Sequence, residues 1–342
     1  DHSLTSEKNI ALHDKAGQAS NRALARVCEL IVPGAKIIDI CRKGDEIIIE
    51  EATKEAGSDS KISKGVAFPT CVSPDVYVTH LSPVESEESA EWVIKSGSTV
   101  RVALGAQIGG FGTVVADTLV VDAAVVEGRA ADVITAAWKA SEAAIQTLVP
   151  GKKNWDVTSV VGKVAAAYEC TPLEGMLSHN VEYGLLDGKN KIIVNPTESQ
   201  RSNIESVTFK EGDVWVLDVL ISTGTGKTIS SGVRTTIFKK TDTTYQLRLK
   251  TSRMVYSEVK KNFGTFPFSA RSLNDYKKCR VGLQECQQHN LLVPYEVYEE
   301  KSGETVAHYL STIRITKDGP VKIAGPNAPD FSKIKSDKSV ED

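Results

Sequence analysis

An internal repeat constrains this chain more than any other feature. Residues 32–40 read Val-Pro-Gly-Ala-Lys-Ile-Ile-Asp-Ile and residues 149–157 read Val-Pro-Gly-Lys-Lys-Asn-Trp-Asp-Val, so five residue types recur at the same offsets, 117 positions apart. Each copy follows an Ala-rich stretch with apolar residues at i, i+3 and i+4, which predicts helices over Ala16–Ile31 and Ala130–Leu148. The Pro-Gly pair ends each helix and turns the chain. A second helix is expected in each copy, Asp39–Ala56 and Asp156–Cys170, with each Asp as its cap. Farther on, Gly97–Leu104 matches Gly212–Val219, each a turn running into a buried strand. Gly-rich turns (Gly109-Gly110, then Gly224 and Gly226) lead into second strands at Thr113–Val121 and Val233–Phe238. Two such α-α-β-hairpin halves pack as an α+β domain, with helices over curved antiparallel sheet and a binding cleft between the halves. Ala103 and Asp218 fall at equivalent positions of the repeat. Either each half once carried a carboxylate there and one has been lost, or only one half ever did.

Composition excludes several classes. Of 342 residues, 41% are hydrophobic and 25% charged, an ordinary globular balance, and the length admits one large unit or two domains. No run of about 18 apolar residues suggests a membrane span, and Asp1-His2-Ser3-Leu4 has no secretory character. Six cysteines without a CxxC pair read as free thiols, with no zinc spacing and no cofactor motif. The net charge of −3 hides an asymmetry. Between Lys239 and Arg280 stand eleven basic residues against Asp242, Glu258 and Asp275, a net +8 on an acidic body. That pattern is either an anion-binding footprint or a solvated helical face. Its candidate phosphate contacts are Lys239, Lys240, Arg248, Lys250, Arg253, Lys260, Lys261, Lys277, Lys278 and Arg280. The interleaved Tyr245, Tyr256, Phe263, Phe266, Phe268 and Tyr276 read as a packed helical face rather than base-stacking platforms. No helix-turn-helix, RRM or zinc-finger pattern occurs.

Gly65-Val-Ala-Phe-Pro-Thr-Cys-Val-Ser73, followed by Val78-Thr-His80-Leu-Ser-Pro83, resembles a signature of type II methionine aminopeptidases. Cys41–Asp45, Leu173–His179, Lys250–Arg253, Ser257–Val259 and Phe266–Phe268 resemble the proliferation-associated proteins of that superfamily, among which is a yeast curved-DNA-binding protein. The resemblance covers about residues 8–325 and implies the pita-bread (creatinase/aminopeptidase) fold. It gives an N-half of about 8–125, a C-half of about 126–325, a helical insertion at about 239–292 and a tail at 326–342. It also implies the fate of the two-metal site. The metal-ligand positions fall on Ala103, Val114, His179, Asp218 and Leu310, and that of an assisting histidine on His80. Three of the five ligand positions are then apolar, and no side chain remains to bridge two divalent ions. Asp117 is expected on the opposite sheet face, while His308 shares the face of Leu310. His80 and His179 are either a relic peptide pocket or histidines satisfied by their neighbours, with Asp218 paired to one of them. A non-enzyme without metal or cofactor follows. The subfamily implies binding of curved DNA or structured RNA, including ribosomal particles; the alternative is a scaffold for regulatory proteins, and residual aminopeptidase activity is a distant third. A monomer in nucleus and cytoplasm is expected. Relatives often end in a polybasic tail, whereas residues 333–342 are of mixed charge, so weak, salt-sensitive binding is expected.

Overall fold

A computed structural model describes residues 1–341. The N-terminal half comprises α1 (Glu7–Cys28), α2 (Ile37–Ala56), β1 (Lys64–Pro74), β2 (Thr99–Ile108) and β3 (Val115–Val120). The second half begins with α3 (Gly128–Thr147), α4 (Asn154–Ala167), β4 (Leu177–Asn180), β5 (Lys191–Ile193) and β6 (Val214–Ser222). The repeat is exact at the helix starts: Lys36 and Lys153, 117 apart, are the N-cap residues of α2 and α4. The expected Asp caps therefore sit inside their helices, three residues past the cap. Asp156 still serves the helix start, accepting the Lys153 N–H at 2.8 Å, whereas Asp39 makes no such bond and only complements the helix dipole. Helix α1 starts nine residues before the expected Ala16. Its early buried stripe uses Asn9 and His13 ahead of Ala16, and polar residues escape an apolar-periodicity test.

The larger correction concerns the second hairpin. Residues 233–238 do not pair with β6. Its partner is β10 (Val306–Thr316), in register from Val306↔Ser222 to Arg314↔Val214. Residues 223–305 lie between the two strands of one hairpin. Within them, β7 (Ile237–Lys240), β8 (Phe268–Ser269) and β9 (Leu292–Pro294) form a separate sheet, with α5 (Lys250–Asn262) and α6 (Tyr276–Gln288) beside it. Val255, Val259, Phe268, Leu283 and Leu292 make the small core of this unit. Gly282 of α6 is required there, because a Cβ would lie 2.9 Å from the Val255 side chain and 3.2 Å from Ser252 Cα of α5.

The main sheet runs β1-β2-β3-β10-β6-β4-β5, and β11 (Gly319–Ala324) hangs on β10. Its even-numbered β2 residues, from Val100 to Ile108, bury against α1 and α2. Trp215, Leu217, Val219 and Tyr309 bury against α3 and α4. The halves meet at β3 and β10 through one ladder pair, Leu310↔Ala116. Threonines complete that seam reciprocally. Thr118 Oγ1 bonds both the N–H and the C=O of His308, and Thr312 Oγ1 bonds both the N–H and the C=O of Val114. Residues 326–341 are not a free tail: Lys335 N–H donates to the Val126 carbonyl at 2.9 Å, and Ser336 and Lys338 bind the Asp132 carboxylate of α3. All six cysteines are free thiols, and among the described residues no helix is long and apolar enough to cross a membrane.

Candidate functional site

The sheet register aligns Ala103, Ala116, Leu310 and Asp218 in one row across four adjacent strands, β2, β3, β10 and β6. Cross-strand neighbours share a face, so the repeat-related Ala103 and Asp218 look into the same space from opposite sides of the row. That space is a cavity of about 340 Å³. It gathers every position of the expected metal site: His80, Ala103, Val114, His179, Asp218 and Leu310 all line it. Ala103, Val114 and Leu310 are buried in one apolar cluster with Phe68 and Val216.

The polar remainder is arranged differently from the expectation. Asp218 pairs with neither His80 nor His179. Its Oδ1 accepts from His308 Nε2 at 2.5 Å, because the Leu310↔Asp218 register puts His308 diagonally across on the same face. The Asp218 N–H donates to Ser178 Oγ at 2.8 Å. His179 Nδ1 donates to the Gly188 carbonyl at 2.9 Å, and His80 Nδ1 to that of Glu296 at 3.3 Å. The His80 ring is packed against Phe68 and Tyr295 on a residue with φ of 69°. Burial lowers the pKa of His80 to about 4 and lowers that of His179. Asp117 lies behind this face, beside Cys28 and Tyr309, and burial raises its carboxyl to about 7.

The residues present do not fit a two-ion site. Methyl, isopropyl and isobutyl groups offer no lone pair to a divalent cation, and Asp218 already accepts from His308. Among the described residues, no group of three or more His, Cys, Asp or Glu side chains is arranged to hold a metal ion.

A pH dependence follows. Burial takes His13, on Gly112's carbonyl at 2.8 Å, down to about 4 as it does His80. Folded-state values below the ordinary 6.5 mean stability that is fully present above pH 6.5 and is lost as pH falls towards 4. Urea midpoints should drop across that window, and His13→Gln with His80→Gln should flatten the drop. An unchanged slope in the double variant refutes this assignment.

The expected cationic surface divides. Lys239 is no phosphate contact: it is 7% exposed and pairs with Asp187, because in β7 its side chain points inward. Lys240 is half-buried, while Arg248, Lys250, Arg253, Lys260, Lys261, Lys277, Lys278 and Arg280 are exposed. Helix α5 buries Ser252, Val255 and Val259, so helical spacing leaves Lys250, Arg253, Lys260 and Lys261 on the outer face. Helix α6 buries Cys279, Gly282, Leu283 and Cys286 and turns Lys277 and Arg280 outward. Most of the aromatics are core: Phe263 stacks on Phe268 with centroids 4.8 Å apart, Phe266 and Phe268 are buried, and Tyr256 and Tyr276 pack against the unit's core. Tyr245 instead stacks on His289 near the surface, with centroids 3.7 Å apart.

Paired α-α-β halves around a shared cleft define an aminopeptidase-type, pita-bread α+β protein. The sequence profile described as metallopeptidase family M24 matches residues 11–247. A Schizosaccharomyces pombe "Curved DNA-binding protein" is 47% identical over all of this chain and 90% of its own length. An Arabidopsis thaliana "ERBB-3 binding protein 1" is 41% identical over 99% of this chain and 85% of its own. The solved structure of a thermophilic Arx1 superposes with a TM-score of 0.93 at 39% identity, covering 98% of this chain and 96% of that one. The chain belongs to metallopeptidase family M24, in its proliferation-associated subfamily.

Proposed function

We propose that this protein binds nucleic acid, as curved DNA or as structured RNA free or in ribonucleoprotein particles, and hydrolyses no peptide. The observation that carries this reading is the outward cationic face of α5 and α6. Lys250, Arg253, Lys260 and Lys261 project from one side of α5, where phosphates can be met without sequence preference. The relative named for curved DNA matches across the whole chain, this unit included. Contacts of this kind read backbone shape and deformability rather than base edges. The cavity supports the second half of the reading, since Ala103, Val114 and Leu310 supply nothing to activate water. A nuclear and cytoplasmic protein suits such targets.

Electrophoretic shifts of curved DNA and structured RNA over a salt series test it. Replacing Lys250, Arg253, Lys260 and Lys261 by Gln should weaken retention and reduce the salt slope by up to about 3. The four side chains are exposed, and only Arg253 also bonds the protein, at the Leu247 and Arg248 carbonyls, so a triple variant that keeps Arg253 controls for the fold. Unchanged retention would move the function to protein docking, which the relative named for ERBB-3 binding favours.

A further inference from the structure

Tyr77 and Trp92 line neither the cavity nor the pocket beside Lys277 and Arg280. Their rings lie 5.0 Å apart at 31° and wall two adjoining surface grooves. One, of about 370 Å³, is lined also by Ile37, Pro74 and Val93. The other, of about 350 Å³, runs past Ser231, Gly232 and Val233. The aromatic pair is fixed in place. Val78 N–H donates to the Tyr298 carbonyl at 2.9 Å, Ile37 N–H donates to that of Trp92 at 3.0 Å, and the Tyr77 carbonyl accepts from Arg101. Such a surface binds without the entropy cost of ordering its own side chains.

The surroundings are acidic. Asp75 and Glu91 line the first groove, and Glu87 and Glu88 the second. Glu299 bridges the Tyr77 backbone. Lys36 neutralises Glu91 and Arg234 neutralises Glu87. Lys95 also lines the first groove. Asp75, Glu88 and Glu299 have no Lys or Arg partner among the described residues. Burial and then these three carboxylates, Glu299 first, push the Tyr77 hydroxyl pKa up, which places all three near the ring.

We infer that the Tyr77–Trp92 surface binds an extended, proline-rich peptide segment carrying Arg or Lys, with prolyl rings in the two grooves and the cation against Asp75, Glu88 and Glu299. A polyproline II helix is already extended in water and repeats its side chains about every 9 Å, so successive prolyl rings can enter two grooves that share the Tyr77–Trp92 wall. Prolines gain from flat aromatic faces, and the acidic rim selects a basic flank. The same rim repels phosphate, which separates this surface from that of α5 and α6.

Calorimetric titration of the full chain with a proline-rich peptide bearing terminal arginines tests the inference. Saturable binding is expected, weakened about 30-fold or more by Trp92→Ala or Tyr77→Ala. Glu88→Lys should weaken it several-fold, and this exposed position guards against a folding defect in the aromatic variants. Retention of nucleic acid should be untouched by all three substitutions. Equal binding of a peptide with its prolines changed to Ala, or no saturable binding to the wild-type chain, overturns the proposal. So does a Trp92→Ala variant that loses nucleic acid but keeps the peptide.

Discussion

Replacing Arg101 by Met should cost about 3–5 kcal/mol of folding stability and lower the melting temperature by about 4–7 °C. Arg101 is fully enclosed, at 1% exposure, and has no carboxylate partner. Its guanidinium donates instead to backbone carbonyls of Asp75 at 2.6 Å, Val306 at 2.9 Å, Val78 at 3.2 Å and Thr99 at 3.3 Å, and to that of Tyr77. Burial lowers its pKa to about 9, so it remains charged at neutral pH. Methionine would fill most of the volume and take a donor from all five carbonyls, of which that of Thr99 keeps the Asp75 N–H at 2.8 Å. Those carbonyls belong to the loop after β1, to β2 itself and to the start of β10, so the loss would loosen residues 75–80, His80 among them. Arg22 is the useful control. It is 44% exposed and bridges Glu51 and Glu55, and Arg26 also holds Glu51. Arg22→Met should cost less than about 1 kcal/mol. Denaturant melts that place Arg101→Met within that range would refute the carbonyl cage as a main support.

Returning carboxylates to the cavity should be nearly as damaging. Ala103→Asp, Val114→Asp and Leu310→Glu would put three acids at positions 4%, 4% and 6% exposed, beside Asp218. Burial and like charge raise the folded-state pKa of such groups. Stability would then be retained below their unfolded values, near pH 4, and lost as pH rises through the raised folded ones. In EDTA at pH 8 the triple variant should lose several kcal/mol, a large share of an ordinary stability margin. Leu310→Glu alone gives a milder, measurable case. Cobalt or manganese should restore part of the loss in the triple variant, by about 2.7 kcal/mol at a hundred times its dissociation constant. The unmodified chain should melt at the same temperature with EDTA or with either metal. Metal-dependent stabilisation of that chain, together with release of N-terminal Met from a peptide, would contradict the proposed inactivity.

The repeat was legible because its two copies are spaced alike, and the N-cap residues Lys36 and Lys153 keep that spacing. The Ala103–Asp218 equivalence was legible for the same reason, and the register turns it into one row across the sheet. The second hairpin was misread because turn signals are local. Nothing near Ser222 announces that its strand pairs with Val306 onward. Lys239 was misread because its burial depends on Asp187, 52 residues earlier. Helix α5 was readable as a cationic helix because periodicity alone decides which of its side chains face out. His308 was seen to share the face of Leu310, yet its bond to Asp218 follows only from a register that no sequence pattern supplies.

The interrupted hairpin also dictates an order of events during synthesis. β10 lies at the middle of the main sheet, between β3 and β6, yet more than eighty residues separate it in sequence from β6 and nearly two hundred from β3. Until it emerges, β3 and β6 each carry an open edge, and residues 223–305 hang from a half-built sheet. A nascent chain of this protein can fold its first half and the separate helical unit early, but joining the halves waits for Val306–Thr316. Long-range pairing of this kind is slow and exposes strand edges to misassembly. Ribosome-stalled chains should therefore stay protease-sensitive in the second half until residue 316 has cleared the exit tunnel, and then close in a single step.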